Sequence, residues 1–351
     1  DEAQQLQKKV RELKNRRKSD LEKDDQETGK KRDDFVLSDK NLTILSLASV
    51  DIRVIGAVGF FISIFGGAIG SQMEGVLPQT LGIAAIGAFG ILSIGAIWIS
   101  SAASKFIKFY DFRMQFHDNA LEYERGLLNR ASGTIPEEKI QDIIIEENFI
   151  QRRLGFASLE VETAGYSQQQ GEIDTGSEKV IPLAKREEVE KFAQEIGGYS
   201  EPDLEMIDEK ARTRYFHRYA LAGATLGIIG FGLSQLFQLS PIVYLPAIIV
   251  LLSSGKAAQL KWENIGYCLD EKRVFTRKGF WNRRTYVIPY FRIQNFMENQ
   301  SIFQRRWDQS TLLLDTAGSV ISFPMIVDID RERAEVLRQT LFENFQESLR
   351  R

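Results

Sequence analysis

Residues Ile135 to Gly165, IPEEKIQDIIIEENFIQRRLGFASLEVETAG, return without a gap at Ile288 to Gly318 as IPYFRIQNFMENQSIFQRRWDQSTLLLDTAG. Eleven of the 31 positions are identical at a constant offset of 153, among them Ile-Pro, Ile-Gln, Gln-Arg-Arg and Thr-Ala-Gly. A period that long implies a duplicated domain and not a solenoid of short repeats.

The apolar residues are not spread evenly. Although 43% of the chain is hydrophobic and 26% charged, the windows 54–70, 81–103, 219–239 and 242–260 are nearly free of charge. Their lengths are 17, 23, 21 and 19 residues. About 20 apolar residues carry a helix across the hydrocarbon core, so the second and third windows suffice, and the first and fourth suffice with tilted or snorkelling flanks. Lys256 would reach the headgroups from inside the fourth.

In chain order, residues 1–34 hold 11 basic and 10 acidic side chains and too few apolar ones for a core. They read as a solvated tether, or as a helix on an anionic surface through Leu6, Val10 and Leu13. A juxtamembrane segment, 35–53, leads to a helical hairpin over 54–103. Short alternating strands with frequent turns follow over 104–198, closed by an amphipathic helix bearing Val189, Phe192, Ala193 and Ile196. Residues 166–176 are an insertion that the second copy lacks, and their Gln and Gly content is expected to give an exposed loop. A basic linker over 199–218, a second hairpin over 219–260 and a second β domain over 261–351 repeat the plan. The final helix has Ala334, Leu337, Leu341 and Phe345 on one face.

Charge sets the orientation. The hairpin turns contain no Lys or Arg, whereas the opposite ends carry Arg53, Lys105, Lys108, Arg113, Arg212, Arg214, Arg218, Lys256 and Lys261. Both β domains are therefore expected on the cytoplasmic side.

Each copy has a strand, a glycine turn followed by Asn-Arg (Gly126, Asn129, Arg130; Gly279, Asn282, Arg283), Ile-Pro, Ile-Gln, Gln-Arg and Thr-Ala-Gly. This combination resembles the bacterial pleckstrin-homology-like (PH-like) membrane proteins of the YdbS/YdbT type. The resemblance implies an α+β membrane protein in which each hairpin precedes a PH-like β-sandwich capped by a C-terminal helix. It also implies a bacterial cytoplasmic membrane location and a further copy upstream of Asp1, since residues 35–47 look similar to the segment leaving such a domain. Some members of the family are associated with protection against membrane-acting antimicrobials. The second copy has Trp307-Asp308 where the first has Leu154-Gly155, which puts the equivalence of that turn in question.

Arg152-Arg153 and Arg305-Arg306, beside Arg130 and Arg283, are the candidate binding residues. Guanidinium groups bind phosphate bidentately, and domains held at a membrane meet anionic headgroups at high concentration. The alternative is that one Arg of each pair bonds carboxylates or carbonyls within the sandwich. The single cysteine, Cys268, excludes an internal disulfide, and His117 and His217 have no partners at metal-ligand spacing. Nucleotide, hydrolase and metalloprotease motifs are absent, and Ser253-Ser254-Gly255-Lys256 matches SxxK without its companion motifs. The expectation is a non-enzymatic scaffold that binds membrane lipids, a membrane protein or further copies of itself. Neither a cofactor nor a nucleic-acid partner is expected.

Overall fold

The computed structural model describes residues 34–48, 59, 79–117, 119–164, 177–237, 241–318 and 323–350. The charged segment 1–33, nearly all of the first apolar window and the inserted residues 166–176, expected to form a loop, lie outside the described residues.

The first repeat contains β1 (Phe35–Val36), α1 (Asp39–Ala48), α2 (Gln79–Phe109), β2 (Arg113–His117), β3 (Ala120–Arg125), β4 (Ala131–Pro136), β5 (Ile140–Asn148), α3 (Phe149–Arg153), β6 (Phe156–Thr163), β7 (Ser177–Lys185) and α4 (Arg186–Gly197). The second contains β8 (Glu205–Met206), α5 (Lys210–Phe237), α6 (Leu245–Glu263), β9 (Gly266–Leu269), β10 (Arg273–Lys278), β11 (Asn282–Pro289), β12 (Ile293–Asn299), α7 (Ile302–Arg306), β13 (Gln309–Thr316), β14 (Met325–Asp330) and α8 (Arg331–Ser348).

The two repeats are not separate bodies. Strands β1 to β4 form one sheet and β12 to β14 another, but between them lies a seven-stranded sheet in the order β7-β6-β5-β11-β10-β9-β8. Its centre is the antiparallel pairing of β5 in one repeat with β11 in the other. Alternation along these strands feeds two cores at once, because successive side chains leave opposite faces. Ile143, Ile145, Leu159, Val161, Phe275 and Val287 enter the core of the first repeat. Ile144, Val274, Tyr286 and Ile288 enter that of the second. Helix α4 adds Val189, Phe192 and Ala193 to the first core, and α8 adds Ala334, Leu337 and Leu341 to the second.

The turn glycines are required by geometry. Gly126 and Gly279 have φ of 114° and 93°. A Cβ on either would overlap the carbonyl oxygen of Asn129 or Asn282. The Leu154-Gly155 and Trp307-Asp308 turns are equivalent after all: Gly155 has φ 73° and Asp308 has φ 52°, a conformation that Asp tolerates better than most side chains.

Among the described residues, the helices over Gly87–Phe109 and Lys210–Leu236 are long and apolar enough to cross a membrane. Helix α6 packs along α5, and the contact runs through Gly223, where a Cβ would come within 2.7 Å of Leu251. At its base α5 is tied to the second β domain. Arg214 and the Tyr215 hydroxyl both engage the buried Asp328 carboxylate, which also accepts from Gln304 Nε2 at 2.6 Å.

Candidate functional site

The Gln-Arg-Arg stretches form two short helices, α3 and α7, each started by a capping box. Gln151 Oε1 accepts the Asn148 N–H at 2.9 Å while Asn148 Oδ1 accepts the Gln151 N–H at 2.7 Å. Ser301 and Gln304 do the same in the second copy. The repeated Gln is therefore structural, and the Asn-x-x-Gln and Ser-x-x-Gln spacing is the signal that would have placed these helices.

Both helices lie beside the feet of the long apolar helices. Asn148 Nδ2 donates to the carbonyl of Ala48, the last residue of α1, at 2.8 Å. Trp98 of α2 donates to Leu47. The β3–β4 turn hangs on α2, with Leu127 N–H bonded to Ile107 O at 3.0 Å. In the second copy, the Trp307 ring at the end of α7 packs on His217 of α5. Phe149, Ile150 and Leu154, together with Leu127, Leu128, Trp281, Ile302 and Phe303, are exposed. Large apolar side chains next to arginines at this level suit a lipid–water boundary.

The six candidate arginines divide. Arg130, Arg153, Arg305 and Arg306 are exposed and make no ion pair among the described residues. Arg152 and Arg283 are half-buried and come together where the repeats join. Arg283 pairs with Glu147, and Arg152 lies over the Phe149 and Phe280 rings and donates to Phe280 O at 3.3 Å. Two arginines that the sequence did not single out complete the group. Arg186 approaches Glu147 at 3.7 Å, and Arg277 lies close enough to Arg283, Arg186 and Arg152 to feel their charge.

Four guanidinium groups thus surround one buried carboxylate. Burial, then the neighbouring arginines, pushes Arg152 and Arg277 below the usual guanidinium range. Arg152 Nη1 and Arg277 Nε are buried with no hydrogen-bond partner among the described residues. Excess positive charge with unfilled donors is an arrangement that accepts a phosphate or carboxylate oxygen. The signal for it was Glu147, an acidic residue in an isoleucine-rich strand.

Bacterial PH domain matches cover residues 53–200 and 225–345, and so span both repeats and their glycine turns. The chain belongs to the bacterial PH domain family. It is 26% identical over 266 residues to the transmembrane protein YdbT of Bacillus subtilis (strain 168). That similarity covers 72% of this chain and 52% of the relative, so the chain spans about half the length of the protein it matches. With its two candidate spans, this bacterial PH domain protein is a membrane protein. The arginine cluster sits at the seam between its two PH-like repeats, outside either sandwich core.

Proposed function

We propose that this chain is a non-enzymatic membrane scaffold. It has two units, each a transmembrane hairpin followed by a PH-like sandwich capped by a helix. Both sandwiches face the cytoplasm and bind further copies of the chain or another membrane protein. The observation that carries this reading is the continuous sheet across β5 and β11, which joins the two domains into one plate and so supports a rigid scaffold. Lys and Arg at the sheet-side ends of the apolar runs support the orientation. A catalytic reading lacks support at the SxxK match, since the hydroxyl of its serine, Ser253, is bonded back to Val250 O at 3.3 Å within its own helix. The resemblance to proteins linked with antimicrobial protection suggests envelope defence as the setting. Detergent extraction followed by mass measurement tests the scaffold: a defined oligomer or a stoichiometric membrane partner is expected, and a bare monomer counts against it.

A second reading, recognition of anionic headgroups, rests on the unfilled donors of Arg152 and Arg277 and on the apolar-plus-arginine faces of α3 and α7. Replacing the exposed Arg153, Arg305 and Arg306 by Glu leaves the seam intact. If headgroups are held there, lipid mass spectrometry of the purified protein should show anionic lipid lost; unchanged retention would rule out those positions.

A further inference from the structure

The seam between the repeats is made of two strand edges, and each edge occurs a second time in the chain. By the offset of 153, β4 corresponds to β11 and β12 corresponds to β5. Strands β5 and β11 are paired with each other, whereas β4 and β12 each end a sheet among the described residues. We propose that β12 of one chain pairs antiparallel with β4 of a second copy, in the register of the internal seam, so that chains assemble head to tail. This rests on the scaffold reading and names its partner and its surface.

The register follows from the internal seam, where Thr285 faces Ile145, Tyr286 faces Ile144 and Val287 faces Ile143. Shifted by the offset, Ser132 of one chain faces Glu298 of the next, Gly133 faces Met297 and Thr134 faces Phe296. Met297 is 43% exposed where its counterpart Ile144 is fully buried. Gly133 lies under the Tyr123 ring, so an aromatic face is present there in place of the Tyr286 side chain. A methionine opposite a glycine flanked by an aromatic ring is a favourable contact.

The apolar residues at the end of the seam recur in the same way. Phe149 lies 5.8 Å from Phe280 and 5.6 Å from Trp281 between ring centroids. Their counterparts are Ile302 on β12's side, and Leu127 and Leu128 on β4's. Ile302 is 82% and Leu128 75% exposed. Open strand edges with matching apolar ends are what sheet-to-sheet pairing uses.

The membrane is compatible with such an assembly. If both hairpins cross one bilayer in the same sense, the operation relating the repeats preserves the membrane plane. Repeating it between chains keeps every copy in that plane, giving a ring where the rotation closes and an open array where it does not. The ionic part of the seam is not carried over: Arg283 opposite Glu147 and Arg284 opposite Glu146 become Arg130 opposite Gln300 and Ala131 opposite Asn299. The contact between chains should therefore be insensitive to salt.

The test uses two differently tagged full chains in a Cys268→Ser background, one with Ser132→Cys and the other with Glu298→Cys, oxidised in native membranes. Both positions are exposed. A disulfide-linked pair carrying both tags is expected, with neither chain cross-linking alone. Pairing Ser132→Cys with Gln300→Cys should give several-fold less product, because diagonal neighbours stand farther apart than directly opposed ones. The detergent-extracted mass is measured in parallel. An oligomer without the 132–298 cross-link overturns the strand pairing and leaves the scaffold reading standing, and a monomer overturns both.

Discussion

Arg283 of the second repeat stands directly across the strand seam from Glu147 of the first, and the two form an ion pair screened from water. Glu147 is the common anion for Arg283 and Arg186, with Arg152 and Arg277 nearby. Removing it leaves Arg283 without its carboxylate partner and the half-buried Arg152 and Arg277 without a nearby anion, a loss larger than that of a surface pair. Glu147→Ala should lower stability by about 3 kcal/mol. Replacing Glu147 and Arg283 together by apolar residues should cost less than either change alone, as a double-mutant cycle on thermal unfolding would reveal.

Asp328 poses a separable question of charge and backbone. Its φ is 58°, and its carboxylate receives Arg214, Tyr215 and Gln304 at the base of α5. Asn adopts that conformation readily but carries no charge, whereas Ala loses both. Asp328→Asn should therefore destabilise by about 2 kcal/mol and Asp328→Ala by about 1 kcal/mol more. Equal melting points for the two variants would mean that backbone strain plays no part.

Glu160 makes stability depend on pH. Burial, together with the neighbouring Glu146 carboxylate, pushes its carboxyl up to about 7, despite an ion pair to Lys179 at 2.7 Å. A carboxyl with a raised native pKa holds its proton where the unfolded chain has released it. Stability should thus be highest, as far as this group is concerned, below pH 4.5 and be lost as the pH rises through about 7, by an amount on the order of 3 kcal/mol. Asp142, raised by burial and by Glu162, acts in the same direction. Glu146 is buried too, but Lys179 beside it holds it below the usual carboxylate range, so its contribution is lost only on acidification. Melting temperature measured from pH 5 to 8 should decline for the parent chain and decline less for Glu160→Gln.

Much of this organisation was legible in the sequence, and the illegible part has a physical cause. The duplication, the glycine turns and the alternating β domains follow from local pattern. Gly126 and Gly279 could be read as turns because their backbone conformation excludes other residues. The joining of β5 to β11 could not be read. A strand buried on both faces and a strand at an edge can share one hydrophobic pattern, and Ile143, Ile144 and Ile145 say only that both faces are covered. The arginine cluster was hidden for the same reason, since Arg152 and Arg283 meet only because the seam places them side by side.

The α5–α6 contact supplies a prediction with its own control. Gly223 and Gly232 lie in one helix, yet a Cβ at Gly223 would press on Leu251, while at Gly232 it would meet open space. Membrane helices associate through close packing at small residues, because lipid removes most of the hydrophobic drive between them. Gly223→Ala should therefore force the pair apart or distort Leu251, at a cost of about 1–3 kcal/mol. Gly232→Ala adds a methyl to a helix face with room for it and should be neutral or slightly stabilising, since alanine loses less backbone freedom on folding than glycine. Thermal unfolding of both variants in one detergent decides the matter. Equal melting points would show that the α5–α6 packing contributes nothing at Gly223, and a loss confined to Gly223→Ala would locate the helix contact at that residue.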